Sequence, residues 1–205
     1  MNIRKPLIIE FTGTPNSGKT TLLKIMPEVL PSMKISVDVM QEDAEIVPTT
    51  IPKKTWIRNV WITLGQLQSL LESSYSTSDV IFLDRGFYDA LFWADFLLVQ
   101  GICSVEESES LKKILSEMDR SFNLKPDIVF LFDVSTAESL KRRAAQSNEP
   151  VTMSTDSFLD MYRAQLNEFA KEITVPIRRF DTTNLSLLEM QEVVLKEILL
   201  LLESC

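Results

Sequence analysis

One stretch near the start of the chain has the residue types and the spacing of a phosphate-binding loop. Residues 13–20 follow the pattern G-x-x-x-x-G-K-T, directly after an apolar run. Gly13 and Gly18 permit backbone angles that a side chain forbids, so that successive N–H groups can converge on phosphate oxygens. Lys19 can reach the β- and γ-phosphates, and the Thr20 hydroxyl is placed to bind Mg²⁺. The remaining residues of the predicted nucleotide site are Thr14, Pro15, Asn16, Ser17 and Thr21.

A second candidate site follows another apolar run, residues 80–83, which ends in Asp84 and Arg85. A carboxylate at the end of a buried strand is typical of the residue that orients Mg²⁺ beside a phosphate loop, so we expect Asp84 to bind the metal. The Arg85 guanidinium presents a fork of donors that suits phosphate. Asp89 follows one helical turn later and is predicted to orient Arg85. The alternative interpretation is an N-capping aspartate beside a surface arginine.

The acidic stretch after the second predicted strand contains the candidates for a general base. The chain has no histidine, so that proton transfer would fall to a carboxylate. Glu42 and Asp38 are the candidates for the base of a hydroxyl acceptor. A solvated acidic turn is the alternative. Basic residues close behind, Lys53, Lys54 and Arg58, could instead receive a phosphorylated substrate.

Aromatic and amide side chains recur in the next helical segment, at Trp56, Trp61, Gln66 and Gln68. Trp61, Leu64 and Gln68 stand three and four residues apart and could share a face. Such a face could stack on a base and bind its edge. An ordinary core stripe is the alternative.

Strand-like and helix-like segments alternate along the whole chain, which predicts an α/β fold with a parallel sheet covered by helices. The predicted strands are Leu7–Phe11, Lys34–Val39, Val80–Asp84, Ile128–Asp133 and Pro176–Asp181. The predicted helices are Gly18–Leu30, Thr55–Ser73, Tyr88–Val99, Val105–Phe122, Ala137–Ala145, Ser157–Ile173 and Leu187–Leu202. Ligands of such sheets bind outside the carboxyl ends of the strands, where the candidate residues lie.

Composition limits the class of protein. With 205 residues, 45% hydrophobic and 24% charged, we expect one domain over residues 1–205. The net charge of −8 argues against a nucleic-acid polymer or a membrane surface as partner. Cys103 and Cys205 match no metal-ligand spacing and no disulfide framework. We found no signal-peptide pattern and expect a cytoplasmic protein.

The chain resembles the P-loop nucleoside and nucleotide kinases, a group that includes thymidylate kinases and deoxynucleoside kinases. The matching features are residues 13–20, 84–86 and 131–135, the helix with Arg142 and Arg143, and the turn 181–184. The resemblance implies a three-layer α/β/α P-loop NTPase fold with a five-stranded parallel sheet. It also implies a helical substrate-binding insertion after the second strand and a short lid over roughly residues 142–156.

The resemblance implies roles for the matched residues, with ATP as the phosphoryl donor and Mg²⁺ as its metal. Lys19 and Asp84 keep the roles given above, and Arg85 would contact phosphate. Arg142 or Arg143 would close over the transferring phosphoryl group, while an exposed basic helix face is the alternative for this pair. Thr183, in the turn before the last helix, is assigned to nucleotide binding. Deoxynucleoside kinases place a glutamate in a position similar to that of Glu42, so the resemblance implies Glu42 as the first choice for the base and leaves Asp38 as the second.

The predicted function is an ATP- and Mg²⁺-dependent phosphotransferase that acts on a small molecule, with a nucleoside or nucleotide as the expected acceptor. The alternative is a nucleotide-binding regulatory ATPase or switch that has no small-molecule acceptor. Residues 181–184 are not the Asn-Lys-x-Asp of guanine-specific switches, and residues 84–86 do not begin an Asp-x-x-Gly sensor of the γ-phosphate. The amphipathic segment Thr55–Ser73 could serve a homodimer.

Overall fold

The computed structural model describes residues 5–41, 46–146 and 155–204. The strands are β1 (Leu7–Gly13), β2 (Val37–Met40), β3 (Val80–Asp84), β4 (Ile128–Asp133) and β5 (Ile177–Asp181). The α-helices are α1 (Lys19–Val29), α2 (Trp56–Ser73), α3 (Phe87–Val99), α4 (Val105–Phe122), α5 (Thr136–Gln146), α6 (Asp156–Phe169) and α7 (Leu187–Ser204). Within those ranges, none of the helices combines the length and the apolarity that crossing a bilayer requires.

The five strands form one sheet in the order β2-β3-β1-β4-β5, and every neighbouring pair is parallel. This arrangement confirms the predicted α/β fold with a five-stranded parallel sheet. β1 lies at the centre and all seven of its residues are buried. Helices cover both faces, as all-parallel sheets require because neither face can be left to solvent.

Side chains alternate along the central strands between two apolar cores. Ile9 and Phe11 of β1 pack with α1 and α7, whereas Ile8 packs with α2, α3, α4 and α6. The first core contains stacked rings, with Phe132 5.2 Å from Phe11 and 5.0 Å from Phe180 between centroids. The period of two along a strand therefore sends consecutive residues of β1 to different helical layers.

The register brings the carboxyl ends of the strands to one edge of the sheet. Phe11 pairs with Asp84, and Gly13 pairs with Phe132. Asp133 and Asp181 are opposite each other on β4 and β5. The candidate residues that follow these strands are therefore neighbours in space, as the sequence predicted.

The boundaries of some elements differ from the sequence-based prediction. β2 begins at Val37 rather than Lys34, because a 3-10 helix over Leu30–Met33 ends with Lys34 in the left-handed conformation, at φ 63°. The predicted helix from Ser157 to Ile173 ends at Phe169 in the structure. Most of the predicted lid, residues 147–154, lies outside the described residues, and so does Glu42.

Candidate active site

The phosphate loop between β1 and α1 is shaped by three residues with positive φ. Gly13, Asn16 and Gly18 have φ values of 145°, 59° and 95°. A Cβ on Gly13 would lie 2.0 Å from the backbone oxygen of Phe132, so that no other residue fits there. The amide of Thr14 donates to the same oxygen at 2.9 Å. The first glycine of the motif thus allows the loop to turn tightly against β4.

Lys19 lies at the start of α1 with its ammonium group held over the loop. Its side chain is buried, and Nζ donates to the carbonyl oxygens of Gly13 at 3.1 Å and Thr14 at 2.9 Å. Ser17 Oγ is 3.3 Å from the same nitrogen. The positive end of α1 and the ammonium charge therefore face the same small volume, which favours an anion.

A cavity of about 480 Å³ opens in front of this loop. Its lining consists of residues 16–21, Glu138 and Arg142 of α5, and the apolar side chains of Leu185, Leu187 and Met190. Polar groups of the loop thus form one wall, and side chains from the region after β5 form another. This shape suits a nucleotide, with the phosphates on the loop and the base at the apolar end.

Arg142 is the arginine of the predicted lid pair that reaches the phosphate loop. Its Nη1 donates to the carbonyl oxygen of Asn16 at 3.3 Å and to Thr182 Oγ1 at 3.2 Å. Its Nε donates to Glu138 at 3.1 Å, and hydrogen bonds from Lys141 and Arg142 lower the pKa of Glu138. Arg143 does not line the cavity. The structure therefore favours Arg142 for the role that the sequence left open between the two.

Thr182, which the sequence analysis passed over, holds the loop from the side of β5. It is fully buried, and its hydroxyl lies 3.0 Å from the carbonyl oxygen of Ser17. The neighbouring Thr183 accepts a hydrogen bond from the amide of Ser135 at 3.0 Å, and its role in nucleotide binding stays a prediction. Two adjacent threonines look equivalent in a sequence, and only the backbone direction at the strand end tells which one contacts the loop.

The predicted metal ligands are oxygen groups that suit Mg²⁺. Thr20 lines the nucleotide cavity, and Asp84 ends β3 opposite Phe11. The described residues contain no group of three or more His, Cys, Asp or Glu side chains that could form a metal cage. Mg²⁺ commonly takes one or two protein ligands and completes its shell with water and phosphate oxygens. The donor set thus fits a nucleotide-bound magnesium ion rather than a structural metal.

Arg85 follows Asp84 in a strained conformation and points back towards the sheet edge. Its φ is 66°, a left-handed value that is uncommon for any residue with a side chain. Its amide donates to the carbonyl oxygen of Phe11 at 3.2 Å, and Nη1 lies 3.5 Å from Asp89 Oδ2. Its guanidinium carbon lies 5.7 Å from the ring centroid of Trp93. Strain of this kind is concentrated at functional sites.

Asp89 connects this arginine with the strand that precedes the phosphate loop. It is 2% exposed, and Oδ1 accepts a hydrogen bond from Thr12 Oγ1 at 3.0 Å. The predicted contact between Asp89 and Arg85 is thus present, and Thr12 is a further partner. The arginine is fixed to β1 through both its backbone and its side chain.

Glu10 is a buried acid that the sequence analysis did not single out. Its Oε1 accepts from the amide of Asp89 at 2.7 Å, and Oε2 accepts from the amide of Tyr88 at 3.1 Å. Burial raises its pKa to about 8, although these backbone hydrogen bonds oppose the shift. The sequence did contain a signal for this residue, because Glu10 is a charged residue inside an apolar strand. Glu10 therefore caps the first turn of α3, next to Arg85.

A second cavity, of about 360 Å³, lies between α2 and α3 beside Arg85. Asn59 and Gln66 of α2 line it, together with Trp93 and Phe96 of α3. We call it the acceptor cavity, after the role that we propose for it below. Its size is in the range of small-molecule sites, and its walls combine aromatic rings with a few polar groups.

The structure corrects the predicted base-binding face of α2. Leu64 is 55% exposed, and Gln68 is exposed and donates to Glu72 at 2.9 Å. Gln66, one of the amides that the sequence indicated, lines the acceptor cavity together with Asn59, which the sequence did not indicate. The spacing of three and four residues does place Leu64 and Gln68 on one face of α2, but this face is exposed to solvent. Spacing alone could not tell which face is buried, because apolar residues lie on both sides of this helix.

Asp38, the second choice as general base, has another partner. Its carboxylate accepts a hydrogen bond from Ser76 Oγ, in the loop before β3. Asp38 is also absent from the residues that line the acceptor cavity. The structure therefore argues against Asp38 as the base.

A further ion pair at the strand ends was not predicted. Arg163 of α6 donates through Nε and Nη2 to the carboxylate of Asp133, at distances of 2.7–2.9 Å. These hydrogen bonds raise the pKa of Arg163. Hydrogen bonds from Thr183 lower the pKa of Asp181, and the positive charge of Arg163 adds to this effect. The pair connects α6 with the ends of β4 and β5, beside the phosphate loop.

Comparisons with known proteins agree with this geometry. A family model described as an AAA domain matches residues 8–169. A probable thymidylate kinase of Sulfurisphaera tokodaii is 30% identical over 145 residues, which cover 67% of this chain and 68% of that protein. A solved structure of deoxyadenosine kinase from M. mycoides with bound dCTP has a TM-score of 0.73 and 15% identity, covering 93% of this chain and 98% of its own. This last likeness shows the fold alone.

Proposed function

Because the chain belongs to the AAA-domain family and to the nucleoside and nucleotide kinase-like group of P-loop proteins, we propose that it is a small-molecule kinase. It transfers the γ-phosphoryl group of ATP, with Mg²⁺, to an acceptor that is a nucleoside or a nucleotide. A probable thymidylate kinase is among its relatives, and a deoxyadenosine kinase is among its structural neighbours. That this chain also uses a nucleoside or nucleotide as its acceptor is part of our proposal.

One observation carries the proposal: the donor and acceptor cavities share the end of β1 as a common support. Gly13 and Lys19 hold the donor side, and the two residues before Gly13 hold the acceptor side. The carbonyl oxygen of Phe11 accepts from the Arg85 amide at 3.2 Å, and Thr12 donates to Asp89 at 3.0 Å. Direct phosphoryl transfer needs such a fixed relation between donor and acceptor.

On the donor side, the residues of this chain would bind and neutralise the triphosphate. The loop amides and Lys19 would hold the phosphates, and Thr20 and Asp84 would hold Mg²⁺. The metal, when bound, neutralises charge on the phosphates. Arg142 approaches from α5 and would stabilise negative charge on the transferring group. Its hydrogen bond to the carbonyl oxygen of Asn16 supports that assignment.

On the acceptor side, Arg85 would orient the acceptor towards the γ-phosphate. Asp89 fixes its guanidinium, and Trp93 lies against it. Glu42 remains our proposed base for a hydroxyl acceptor, and it lies outside the described residues. A nucleotide acceptor would need no base at all, since a phosphate oxygen is already ionised.

The acceptor cavity favours a kinase over a regulatory switch. A switch needs only a nucleotide site and a segment that responds to the γ-phosphate. This chain has a second cavity of about 360 Å³ that begins at Arg85. A switch does not need such a second cavity, whereas a kinase needs one to bind its acceptor.

Acceptor-dependent release of ADP tests the proposal. Purified full-length protein with ATP and Mg²⁺ should release ADP only when a nucleoside or nucleotide from a broad panel is added. Lys19→Ala should reduce that release by at least about a hundredfold, because the loop loses its cation. If no member of the panel raised ADP release above its rate with ATP alone, the kinase assignment would be wrong.

A further inference from the structure

The first turn of α3 is capped by a side chain from another element. Gly86 occupies the N-cap position and has no side chain with which to cap the helix. Glu10 of β1 takes over this role, since Oε1 accepts from the Asp89 amide at 2.7 Å and Oε2 accepts from the Tyr88 amide at 3.1 Å. A Cβ at position 86 would lie 3.0 Å from Glu10 Oε2. The carboxyl group of Glu10 therefore fills the space that an N-capping side chain would need.

The same face of β1 also holds the side chain of Asp89. Thr12, two residues after Glu10 along the strand, lies on this face and donates to Asp89 Oδ1 at 3.0 Å. Asp89 Oδ2 lies 3.5 Å from Arg85 Nη1. Charge-assisted hydrogen bonds are usually about 2.7–2.9 Å long. The guanidinium therefore has room to move closer to the carboxylate.

Arg85 is fixed at its backbone and held less tightly at its side chain. Its amide donates to the carbonyl oxygen of Phe11 at 3.2 Å. Its guanidinium carbon lies 5.7 Å from the centroid of the Trp93 ring, within the range of a cation–π contact. The side chain is 24% exposed and lines the acceptor cavity. A change of charge behind the guanidinium can therefore move it while the backbone stays in place.

The surroundings of the Glu10 carboxyl group are mainly apolar. β3 and β4 place Leu83 and Val129 opposite Glu10. The helices α2, α3, α4 and α6 cover this face of the sheet with one apolar core, whose described titratable groups are the phenols of Tyr88 and Tyr162. Burial in these surroundings raises the pKa of Glu10 to about 8. The group therefore carries a proton at neutral pH and loses it in mildly alkaline solution.

The charged groups near Glu10 come from α3 and from the segments on either side of it. Asp89 is negative and Arg85 is positive, so that a protonated Glu10 leaves this cluster without net charge. Lys125, which follows α4, lies near the start of α3 and forms an ion pair with Asp119. An ionised Glu10 adds a second negative charge to the side of Arg85 that faces the sheet.

We propose that Glu10 is a positioning residue for Arg85: when Glu10 loses its proton, the guanidinium moves towards the two carboxylates and away from the Trp93 ring. The inference rests on the proposed function, in which Arg85 orients the acceptor. The proton passes to the solvent, and no other bond is made or broken.

The effect on the reaction has a definite direction. An additional negative charge behind Arg85 attracts the guanidinium inwards and weakens its hold on an electron-rich group of a bound acceptor. Lys19, on the donor side, keeps its own contacts with the carbonyl oxygens of Gly13 and Thr14. The KM for the acceptor should therefore rise about three- to tenfold when Glu10 ionises, while the KM for ATP should stay within about twofold.

The emission of Trp93 tests the movement without requiring any kinase activity. In the full chain with Trp56→Phe and Trp61→Phe, Trp93 is the one tryptophan that remains of three. Its emission should change between about pH 6.5 and about pH 9.5, with a midpoint near the pKa of Glu10, about 8. Glu10→Gln should abolish the change, whereas Glu203→Gln, at an exposed position of α7, should keep it. Emission without such a midpoint, or with one that persists in Glu10→Gln, would overturn the inference.

Asp89→Asn gives a second measurement that does not depend on the folding of Glu10→Gln. The negative charge of Asp89 contributes to raising the pKa of Glu10. Its removal should move the midpoint of the Trp93 emission to lower pH, by about half a pH unit or more. A midpoint that stays in place would show that another group titrates, and the inference would be wrong.

Steady-state kinetics separate this inference from the kinase function itself. With an acceptor found by ADP release, the KM for that acceptor should rise about three- to tenfold from about pH 7 to about pH 9.5 in the wild type and stay level in Glu10→Gln. If turnover is observed and this KM is the same at both pH values, the kinase function is right and the positioning role of Glu10 is wrong. If the Trp93 emission titrates as described and no acceptor supports ADP release, the movement of Arg85 is right and the kinase function is wrong.

Discussion

At the scale of single residues, the burial of Glu10 makes the free energy of unfolding depend on pH. Its carboxyl group is fully buried beneath the first turn of α3, and burial raises its pKa from 4.5 to about 8. Between these values the folded protein holds a proton that the unfolded chain has released. The free energy of unfolding therefore decreases as the pH rises through this window.

We predict that Glu10→Gln removes much of this pH dependence. Urea unfolding measured from about pH 5 to about pH 8.5 should show a steady loss of stability in the wild type and a flatter profile in the variant. Glu203→Gln, at an exposed position of α7, is the control and should retain the wild-type slope. A wild-type profile that is flat or rises over this range would contradict the burial of an ionisable Glu10.

Gly13 gives a second prediction at this scale. A Cβ there would lie 2.0 Å from the Phe132 oxygen, and φ is 145°. Gly13→Ala should therefore cost about 3 kcal/mol or more, since backbone atoms must move. Gly101→Ala is the matched control: φ is 65° and no atom lies within 4 Å of its Cβ, so that it should cost only about 1 kcal/mol.

Chemical denaturation of both glycine variants measures the difference directly. Similar losses of stability at Gly13 and Gly101 would mean that the close approach of the loop to β4 is not a constraint. The loop would then adapt more readily than its geometry implies.

At the scale of secondary-structure elements, the phosphate loop is held from three sides. β1 supplies the loop itself, α5 approaches it through Arg142, and the segment after β5 approaches it through Thr182. On the opposite side, Glu10 and Thr12 hold the beginning of α3. The end of β1 therefore connects the phosphate loop with the beginning of α3 over a few bonds.

We predict that Thr182→Val weakens ATP binding. The variant keeps the shape of the side chain but loses the hydroxyl that lies between Arg142 Nη1 and the Ser17 oxygen. The KM for ATP should rise about three- to tenfold, as expected for the loss of buried hydrogen bonds. Thr174→Val loses a hydroxyl contact with Tyr88, and neither residue lines the nucleotide cavity, so that this KM should stay unchanged.

Steady-state kinetics with varied ATP distinguish the neighbouring threonines. If Thr183→Val raised the KM for ATP more than Thr182→Val did, the sequence-based assignment would be right and the geometric one wrong.

At the scale of the whole molecule, the sequence predicted the parallel sheet, its helical layers and the position of the phosphate loop after β1. These features could be predicted because they depend on short stretches of sequence. Apolar runs indicate buried strands, and ligands of such sheets bind at the carboxyl ends of the strands. Thr182 and Asn59 were missed, because their roles depend on which side of a turn or helix faces the cavity. A buried acid such as Glu10 is recognised only when its neighbours are known.

Nucleotide binding should also stabilise the molecule as a whole. ATP with Mg²⁺ at a hundred times its Kd should add about 2.7 kcal/mol to the free energy of unfolding. Removing Mg²⁺ with a chelator should reduce that gain, because Thr20 and Asp84 then lose the ion they would share with the phosphates. Thermal unfolding with and without the metal checks this, and identical curves would contradict a role for Mg²⁺. The proposed homodimer stays a prediction for sedimentation experiments.

The most direct test of the account follows the phosphoryl group itself. ATP labelled at the γ-phosphate is incubated with the full chain, Mg²⁺ and a panel of nucleosides and nucleoside monophosphates. We predict that the label appears on an acceptor and that Lys19→Ala abolishes its transfer. Label that appears only as inorganic phosphate, whichever acceptor is present, would contradict the account and would identify the protein as an ATPase without an acceptor.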